Sequence, residues 1–501
     1  MNGAPLVSTA QRTSSADGTV LSALRSPTRL RIEVLAGLVT ALALIPEALS
    51  FSILAGVDPQ VGLFASFTMA VTIAITGGRR AMISGAAGST ALVVAPVVQE
   101  HGLQYLIATV LLAGVFQIAM SVAGVTKLMR FIPRSVMVGF VNALAILIFS
   151  AQLPHLLGVP WLVYPMVAAG LLIIVFLPKL TTVVPAPLVA IVVLTAVALV
   201  FGLDLPTVGD EGALPSSLPT LMFPDVPFTL DTFAIIAPYA LAMALVGLLE
   251  SLMTASLVDD ITDSPSNKTR ESWGQGVANI VTGFFGGIGG CAMIGQTMIN
   301  VKIAGARTRI STFLAGVFLL VLVVALSDLV ARIPMAALAA VMIMVSVATL
   351  DWHSVAPKTL RRMPIAETLV MVLTVVVTVV TADLAIGVIV GVLTAMVAFA
   401  HRVAHFTEVT PVPDADIRTY KVRGELFFAS SNDLVTQFDY VGDPDHIVID
   451  MSDTHIWDAS TVAALDAITH KYRAKGKQVE IIGLNAASRE RHERLSGHVA
   501  L

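Results

Sequence analysis

Charge is scarce in this 501-residue chain. Only 13% of its residues are Asp, Glu, Lys or Arg, whereas 56% are hydrophobic and the mean hydropathy is +0.85. A soluble globular domain carries roughly 25% charged residues, so a wholly water-soluble fold is excluded. Cysteine is nearly absent: Cys291 stands alone, which rules out an intrachain disulfide framework. A formal net charge of −4 offers no basic surface for a polyanion, so no nucleic-acid partner is expected. The first 30 residues are polar, rich in Ser, Thr and Arg, and lack the apolar core of a cleavable signal peptide. They read as a mobile cytosolic tail. No nucleophile–base set and no metal-ligand spacing occurs, so neither an enzyme nor a cofactor is expected. His155, beside an outer loop, and His401, at an inner boundary, read as interfacial.

What the chain does contain is one apolar run after another over 31–402. About 18–20 apolar residues cross a bilayer as helix. Candidate spans lie near 33–54, 60–77, 87–100, 104–122, 133–152, 160–177, 186–203, 231–258, 271–287, 295–304, 308–327, 334–350, 364–382 and 384–402. That makes fourteen, of which 87–100 and 295–304 are too short to cross alone. With the N-terminus in the cytosol, the inner tail and loops before residue 402 collect eighteen Lys and Arg, from Arg12 to Arg362. The outer loops collect Arg332 alone, and the long outer loop 204–230 holds Asp204, Asp210, Glu211 and Asp225 without any base. The positive-inside rule thus places both termini in the cytoplasm.

Two breaks interrupt the apolar pattern. Residues 84–90 read Ser-Gly-Ala-Ala-Gly-Ser-Thr, and residues 286–297 read Gly-Gly-Ile-Gly-Gly-Cys-Ala-Met-Ile-Gly-Gln-Thr. Each is a small-residue, extended stretch running into a half-length helix. Irregular backbone at membrane depth survives only where protein buries it or a watery cavity lines it. Paired interruptions in two halves of a chain point to a transport site at the repeat interface. A helix that starts in mid-membrane offers free N–H groups and a positive dipole end, which suits an anion. The halves correspond: Glu47 precedes Gly88-Ser89-Thr90 by about forty residues, and Glu250 precedes Gly295-Gln296-Thr297 by a similar distance. Seven spans per half make the repeat (about 31–203 and 231–402) inverted across the membrane. The plainer alternative is that small residues only allow tight helix packing.

Carboxylates within a bilayer are costly and usually functional. Glu47 follows Pro46 in an otherwise apolar helix, where burial favours its protonated form near neutral pH, as a proton-coupling group requires. A hydrogen-bonded structural acid is the bland reading. Glu250 can hold a proton, bind sodium with Thr254, or pair with polar neighbours. Asp259, Asp260 and Asp263, with Lys268 and Arg270, read as a solvated inner surface.

Past a linker at 403–414, residues 415–501 read as a small soluble α/β domain. Ile417–Val422, His446–Met451 and Gln478–Leu484 carry strand patterns, and Ser460–Arg473 has helical periodicity, capped at Ser460 by the turn Asp458-Ala459-Ser460. Nothing there resembles a phosphate loop or a catalytic set, so a regulatory or assembly role is expected.

The stretch LIPEALSFSILAGVDPQVGLFASF resembles the first-span signature of the sulfate permease family, whose relatives include the animal solute carrier 26 anion transporters. SPSNKTRESWGQGVANIVTGFFGGIGG resembles that family's Asn-x-Glu-x-x-x-x-Gly-x-x-Asn segment, and the tail resembles a STAS domain. The resemblance extends over nearly the whole chain beyond residue 30. It implies a seven-plus-seven inverted repeat in which a core domain moves against a gate domain, and a homodimer. It also implies an anion site between Gly88-Ser89-Thr90 and Gly295-Gln296-Thr297, with Glu47 and Phe51 from the first span and Glu250 and Thr254 from the eighth. Glu47 stands where Gln is usual, which favours proton coupling. Gln296 stands where many animal members have Arg, which removes a fixed positive charge. Ile294 replaces a polar residue of sodium-coupled bicarbonate members, leaving a sodium site on Glu250 and Thr254 incomplete. In the STAS turn, Ala459 occupies the place of a phosphorylatable Ser in soluble relatives.

These readings converge on a secondary active transporter in a bacterial inner membrane. Proton-coupled symport of a dicarboxylate of fumarate type is expected, with Glu47 taking the proton. Sodium-coupled bicarbonate or sulfate transport is the alternative. A membrane-anchored STAS scaffold is the alternative from another class.

Overall fold

The computed structural model describes residues 19–125, 127, 132–181, 185–404, 407–412 and 417–498. Most of the N-terminal tail and parts of the 403–414 linker lie outside the described residues. The chain divides into two compact units, one running to Gly391 and the other from Val392.

Each apolar segment read from the sequence falls on a helix. In the first half these are α1 (Pro27–Ala55), α2 (Pro59–Thr76), α3 (Gly88–His101), α4 (Leu103–Val122), α5 (Arg134–Ser150), α6 (Val163–Leu180) and α7 (Ala186–Val200). In the second half they are α8 (Leu230–Thr262), α9 (Lys268–Phe284), α10 (Ile294–Met298), α11 (Arg309–Ala325), α12 (Met335–Thr349), α13 (Ile365–Thr381) and α14 (Leu384–Ala404). A π-helical turn, Ile299–Ile303, prolongs α10. Among the described residues seven helices are long and apolar enough to cross a membrane, and several shorter apolar helices accompany them.

The helices sort into two sets that pack mainly within themselves. One joins α1–α4 with α8–α11; the other joins α5–α7 with α12, α13 and the start of α14. Each set thus takes the corresponding helices from both halves, as an interleaved repeat requires. Between α2 and α3 lies strand β1 (Ser84–Gly85), and between α9 and α10 lies β2 (Cys291–Ala292); they pair antiparallel, Ser84 opposite Ala292 and Gly85 opposite Cys291. The two interruptions therefore satisfy each other's backbone, which the lipid interior demands. Gly290 makes the crossing possible: a Cβ there would lie 2.0 Å from the Gly85 carbonyl oxygen.

A polar stripe on α9 holds this crossing, at a four-residue spacing that puts its members on one helix face. Glu271 accepts from the backbone N–H groups of Gly78 (2.7 Å) and Arg79 (2.9 Å). Gln275 Nε2 donates to Ser84 Oγ at 2.7 Å and to Glu271 Oε1 at 2.9 Å. Asn279 Nδ2 donates to Gln117 Oε1 (2.9 Å) and to the Gly290 carbonyl (3.0 Å), while its Oδ1 accepts from the Gly290 N–H at 2.8 Å. Buried Glu33 on α1 accepts from the backbone N–H groups of Arg307, Thr308 and Ser311 (2.8, 3.0 and 3.2 Å), so it caps the start of α11.

Asp259 corrects one expectation. It is half-buried rather than part of a solvated surface, paired with Arg79 at 3.0 Å and with Lys268 at 2.8 Å. Asp260 and Asp263 are exposed.

The second unit contains a four-stranded sheet in the order β3–β4–β5–β6, with β3 (Glu408–Val412), β4 (Ile417–Leu426), β5 (His446–Ile456) and β6 (Gln478–Ile482). The pair β3/β4 is antiparallel and the other two pairs are parallel. Strand β3 falls within the segment read as a linker; it is a short edge strand carrying Pro411, the kind of strand whose pattern reads as loop. Helices α15 (Phe428–Leu434), α16 (Ala459–Arg473) and α17 (Ala486–Leu495) complete the unit. Within the turn Asp458-Ala459-Ser460 it is Asp458 that caps α16, which starts at Ala459: its Oδ1 accepts from the Thr461 N–H at 3.1 Å. Buried Asp443 ties the core together, accepting from the hydroxyls of Tyr420 (2.8 Å) and Tyr472 (2.6 Å) and from Arg418 Nε (3.2 Å).

Candidate functional site

The helix α1 runs through Pro46, whose missing N–H leaves the carbonyl four residues earlier without its helical donor. Ser50 Oγ donates to the Pro46 carbonyl at 2.8 Å, and Glu47 follows directly after the proline. The Glu47 side chain is half-buried and lies beside the Gln296 side chain on α10. Glu250 lies close enough for its charge to act on Glu47. One turn along α1, Phe51 is buried against the first residue of α3: a Cβ on Gly88 would meet the Phe51 ring at 2.9 Å and Ile148 at 3.1 Å.

The two half-helices start without help from side chains. Ala87 precedes α3 and Met293 precedes α10, both in extended backbone, and neither start has a side-chain cap. The first-turn N–H groups of α3 therefore carry the partial positive charge of a helix start. Ser89, in that first turn, donates its hydroxyl to Glu250 Oε2, and Cys291 Sγ donates to the same oxygen at 3.2 Å. The Ser251 hydroxyl accepts from the Ala292 N–H at 3.0 Å, so α8 grips β2 at two points. Nothing lies within 4 Å of where a Cβ on Gly295 would be, so α10 presents a bare backbone to open space.

Of the residues singled out in the sequence, the structure thus joins Glu47 with Gln296, Phe51 with Gly88, and Glu250 with Ser89. Three hydroxyls are turned to backbone instead. Thr90 Oγ1 donates to the Ala87 carbonyl (3.0 Å), and Thr254 Oγ1 donates to the Glu250 carbonyl (2.8 Å). Thr297 Oγ1 accepts from the Ile83 N–H at 3.0 Å. Sequence reasoning missed Cys291 as a partner of Glu250 and the α9 stripe as the scaffold of the crossing. The signal for the stripe was present, since Glu271, Gln275 and Asn279 recur every four residues. Among the described residues no group of three His, Cys, Asp or Glu side chains could hold a metal ion.

Chemically, the arrangement is two carboxylates facing two helix starts, with Gln296 and Ser89 as the polar side chains between them. A helix start can hold an anion, and a carboxylate beside it can carry a compensating proton.

The chain resembles known proteins along most of its length. The sulfate permease family profile matches residues 30–167 and 159–374, and the STAS domain profile matches 409–497. A Bacillus subtilis protein named "Putative sulfate transporter YbaR" is 54% identical over 460 residues, which cover 92% of this chain and 96% of that protein. The bicarbonate transporter BicA of Picosynechococcus is 27% identical, covering 93% of this chain and 91% of that one. The solved transmembrane domain of a cyanobacterial BicA superposes with a TM-score of 0.63 at 26% identity, over 74% of this chain and 98% of that domain. The murine solute carrier 26 member A9, an anion transporter solved in its inward-facing state, shares the fold at a TM-score of 0.78 and 18% identity, over 98% and 92% of the two chains.

Proposed function

We propose that this chain, which belongs to the sulfate permease family, is a proton-coupled symporter of a small dianion. The anion lies between the starts of α3 and α10, and Glu47 takes up the proton that offsets its charge. The observation that carries this reading is the Glu47–Gln296 contact. It sets a protonatable group, rather than a fixed cation, against the anion's place. Without an Arg in the pocket, a dianion moving inward against an inside-negative potential gains from a proton travelling with it, since each charge carried is worth about 2.3 kcal/mol per 100 mV.

A dicarboxylate of fumarate type is the substrate we assign. Sulfate and bicarbonate, the anions in the relatives' names, are the comparison arms. Sodium coupling through Glu250 is disfavoured, because its Oε2 already accepts from Ser89 and Cys291 and the Thr254 hydroxyl is spent on backbone. We place the protein in the bacterial plasma membrane as a homodimer, with both termini and the STAS domain in the cytoplasm. Transport then proceeds by the set α1–α4 with α8–α11 sliding against the other set and carrying the anion with it.

The test is proton influx into proteoliposomes, read by an internal pH dye, under imposed gradients of fumarate, succinate, sulfate, bicarbonate and chloride. Acidification with one dianion, and anion uptake without acidification in Glu47→Gln, is the expected result. Coupled uptake that survives Glu47→Gln intact sinks the assignment. Uptake that follows a sodium gradient instead moves the coupling role to Glu250.

A further inference from the structure

The segment joining α7 to α8 crosses from one helix set to the other. On one side it is held at the start of α12: the Val208 N–H donates to the Ile333 carbonyl at 2.9 Å, and the Met335 N–H donates to the Pro206 carbonyl at 2.8 Å. On the other side it rests on the turn between α1 and α2, where the Gln60 N–H donates to the Ala213 carbonyl at 3.1 Å. Gly212 seats it there at φ +146°, a backbone conformation L side chains rarely adopt, and a Cβ would lie 2.3 Å from Asp58 Oδ1. Between the two anchors the segment is stiff. Asp210 Oδ2 accepts from both the N–H and the hydroxyl of Thr207, each at 2.8 Å.

Beneath it lies a cavity of about 290 Å³, walled by both helix sets. Ser50 on α1 lines one side, Gln152 and His155 beyond α5 and Met335 on α12 line the other, and Glu211 reaches in from the crossing segment. Ser50 follows Glu47 by three residues, so the cavity's α1 wall lies one turn from that carboxylate on the same helix face. Phe51, the next residue along α1, lies at Gly88, where a built Cβ would also meet Ile148.

We propose that this cavity is an access vestibule through which the transported anion reaches the site beside Glu47, and that residues 206–213 are its lid. The lid is hinged on α12 and latched on the α1–α2 turn. Two backbone hydrogen bonds hold the hinge and one holds the latch, so when the sets slide apart the latch parts first and the vestibule opens. The inference rests on transport by relative movement of the two sets, and its test is chosen to be readable without any transport.

Ser50→Cys, in nanodiscs that expose both faces, is labelled with a small charged methanethiosulfonate; native Cys291 is fully buried and its background is taken from the unmutated chain. Adding Gly212→Val unseats the latch, and labelling of the introduced cysteine should accelerate at least about tenfold because the closed state loses its seat. Equal rates, within about twofold, overturn the lid even if no substrate is ever found. As a second measurement, the oxidised pair Gln60→Cys/Ala213→Cys, which ties the lid to the α1–α2 turn, should stop anion uptake and recover with reductant. The oxidised pair Val208→Cys/Ile333→Cys, which ties the lid to its own hinge, should transport normally. Uptake that persists with the latch locked refutes the proposal. A protein that fails to transport while its labelling responds to Gly212→Val refutes the proposed function instead.

Discussion

Replacing Asn279 by Ala tests whether the crossing of the two broken segments is held by its polar scaffold or merely by close packing. Three hydrogen bonds of 2.8 to 3.0 Å end on this one side chain. Their loss leaves the Gly290 N–H, the Gly290 carbonyl and Gln117 Oε1 without these partners in a buried apolar setting. Each orphaned buried group costs about 1–3 kcal/mol, so the variant should lose about 3–9 kcal/mol of unfolding free energy. The comparison that sharpens the test is Gln117→Met. Gln117 Nε2 has no partner, so removing the amide discards one orphan while creating another, and Asn279 Nδ2 keeps its bond to Gly290. That variant should lie within about 1 kcal/mol of the parent. Both are measured by denaturant titration in mixed micelles, followed by uptake at a temperature where each remains folded. Folded Asn279→Ala should still transport poorly, because Gly290 sets where β2 and the start of α10 sit. Equal costs for the two substitutions would refute the reasoning.

Other substitutions read the site separately. Ser89→Ala removes a donor from buried Glu250 and should lower uptake about tenfold, whereas Cys291→Ser keeps a donor at the same place and should stay within about twofold; initial uptake rates decide. Thr254→Val should change neither rate nor cation requirement by more than about twofold, since the hydroxyl serves only the Glu250 carbonyl. A steep loss together with sodium dependence would restore a cation site there. In the second unit, Asp443→Ala removes the carboxylate that accepts from two buried tyrosine hydroxyls and should destabilise that unit by about 2–4 kcal/mol. Limited proteolysis of the full chain should then cut beyond residue 417 while the helical unit stays intact.

How much of this was legible in the sequence follows from what each pattern can encode. Long apolar runs have one physical outcome in a bilayer, so most helix ends between Pro27 and Ala404 lie within about three residues of the expected spans, although α1 begins at Pro27 rather than near 33 and α8 runs on to Thr262 rather than 258. The breaks at 84–90 and 286–297 were visible because small residues and glycines cannot hide in a twenty-residue apolar helix. Their mutual pairing was not visible, since nothing local in Ser84-Gly85 names Cys291-Ala292 as its partner. Asp259 reads as a solvated acid beside Lys268, and only the chain's return past Arg79 half-buries it. In the sequence a sodium site with Thr254 is one of three readings of Glu250; in the fold the Thr254 hydroxyl bonds the carbonyl four residues back, as a threonine within a helix can. Glu47 and Glu250 were legible as unusual residues; that Ser89 and Cys291 share one oxygen of Glu250 depends on a fold, not a motif.

The pairing of β1 with β2 also sets a schedule for biosynthesis. Ser84 emerges from the ribosome roughly two hundred residues before Ala292, the residue opposite it. Until the second half is made, the first half holds a strand with open backbone and a helix too short to cross the bilayer, in a solvent that offers no substitute partner. Long-range pairing of this kind is slow to form and exposed to error meanwhile. A chain stopped after α7 therefore lacks the strand that pairs with β1. The pairing can close only once Gly290 has been made, since a Cβ at that position would lie 2.0 Å from the Gly85 carbonyl oxygen.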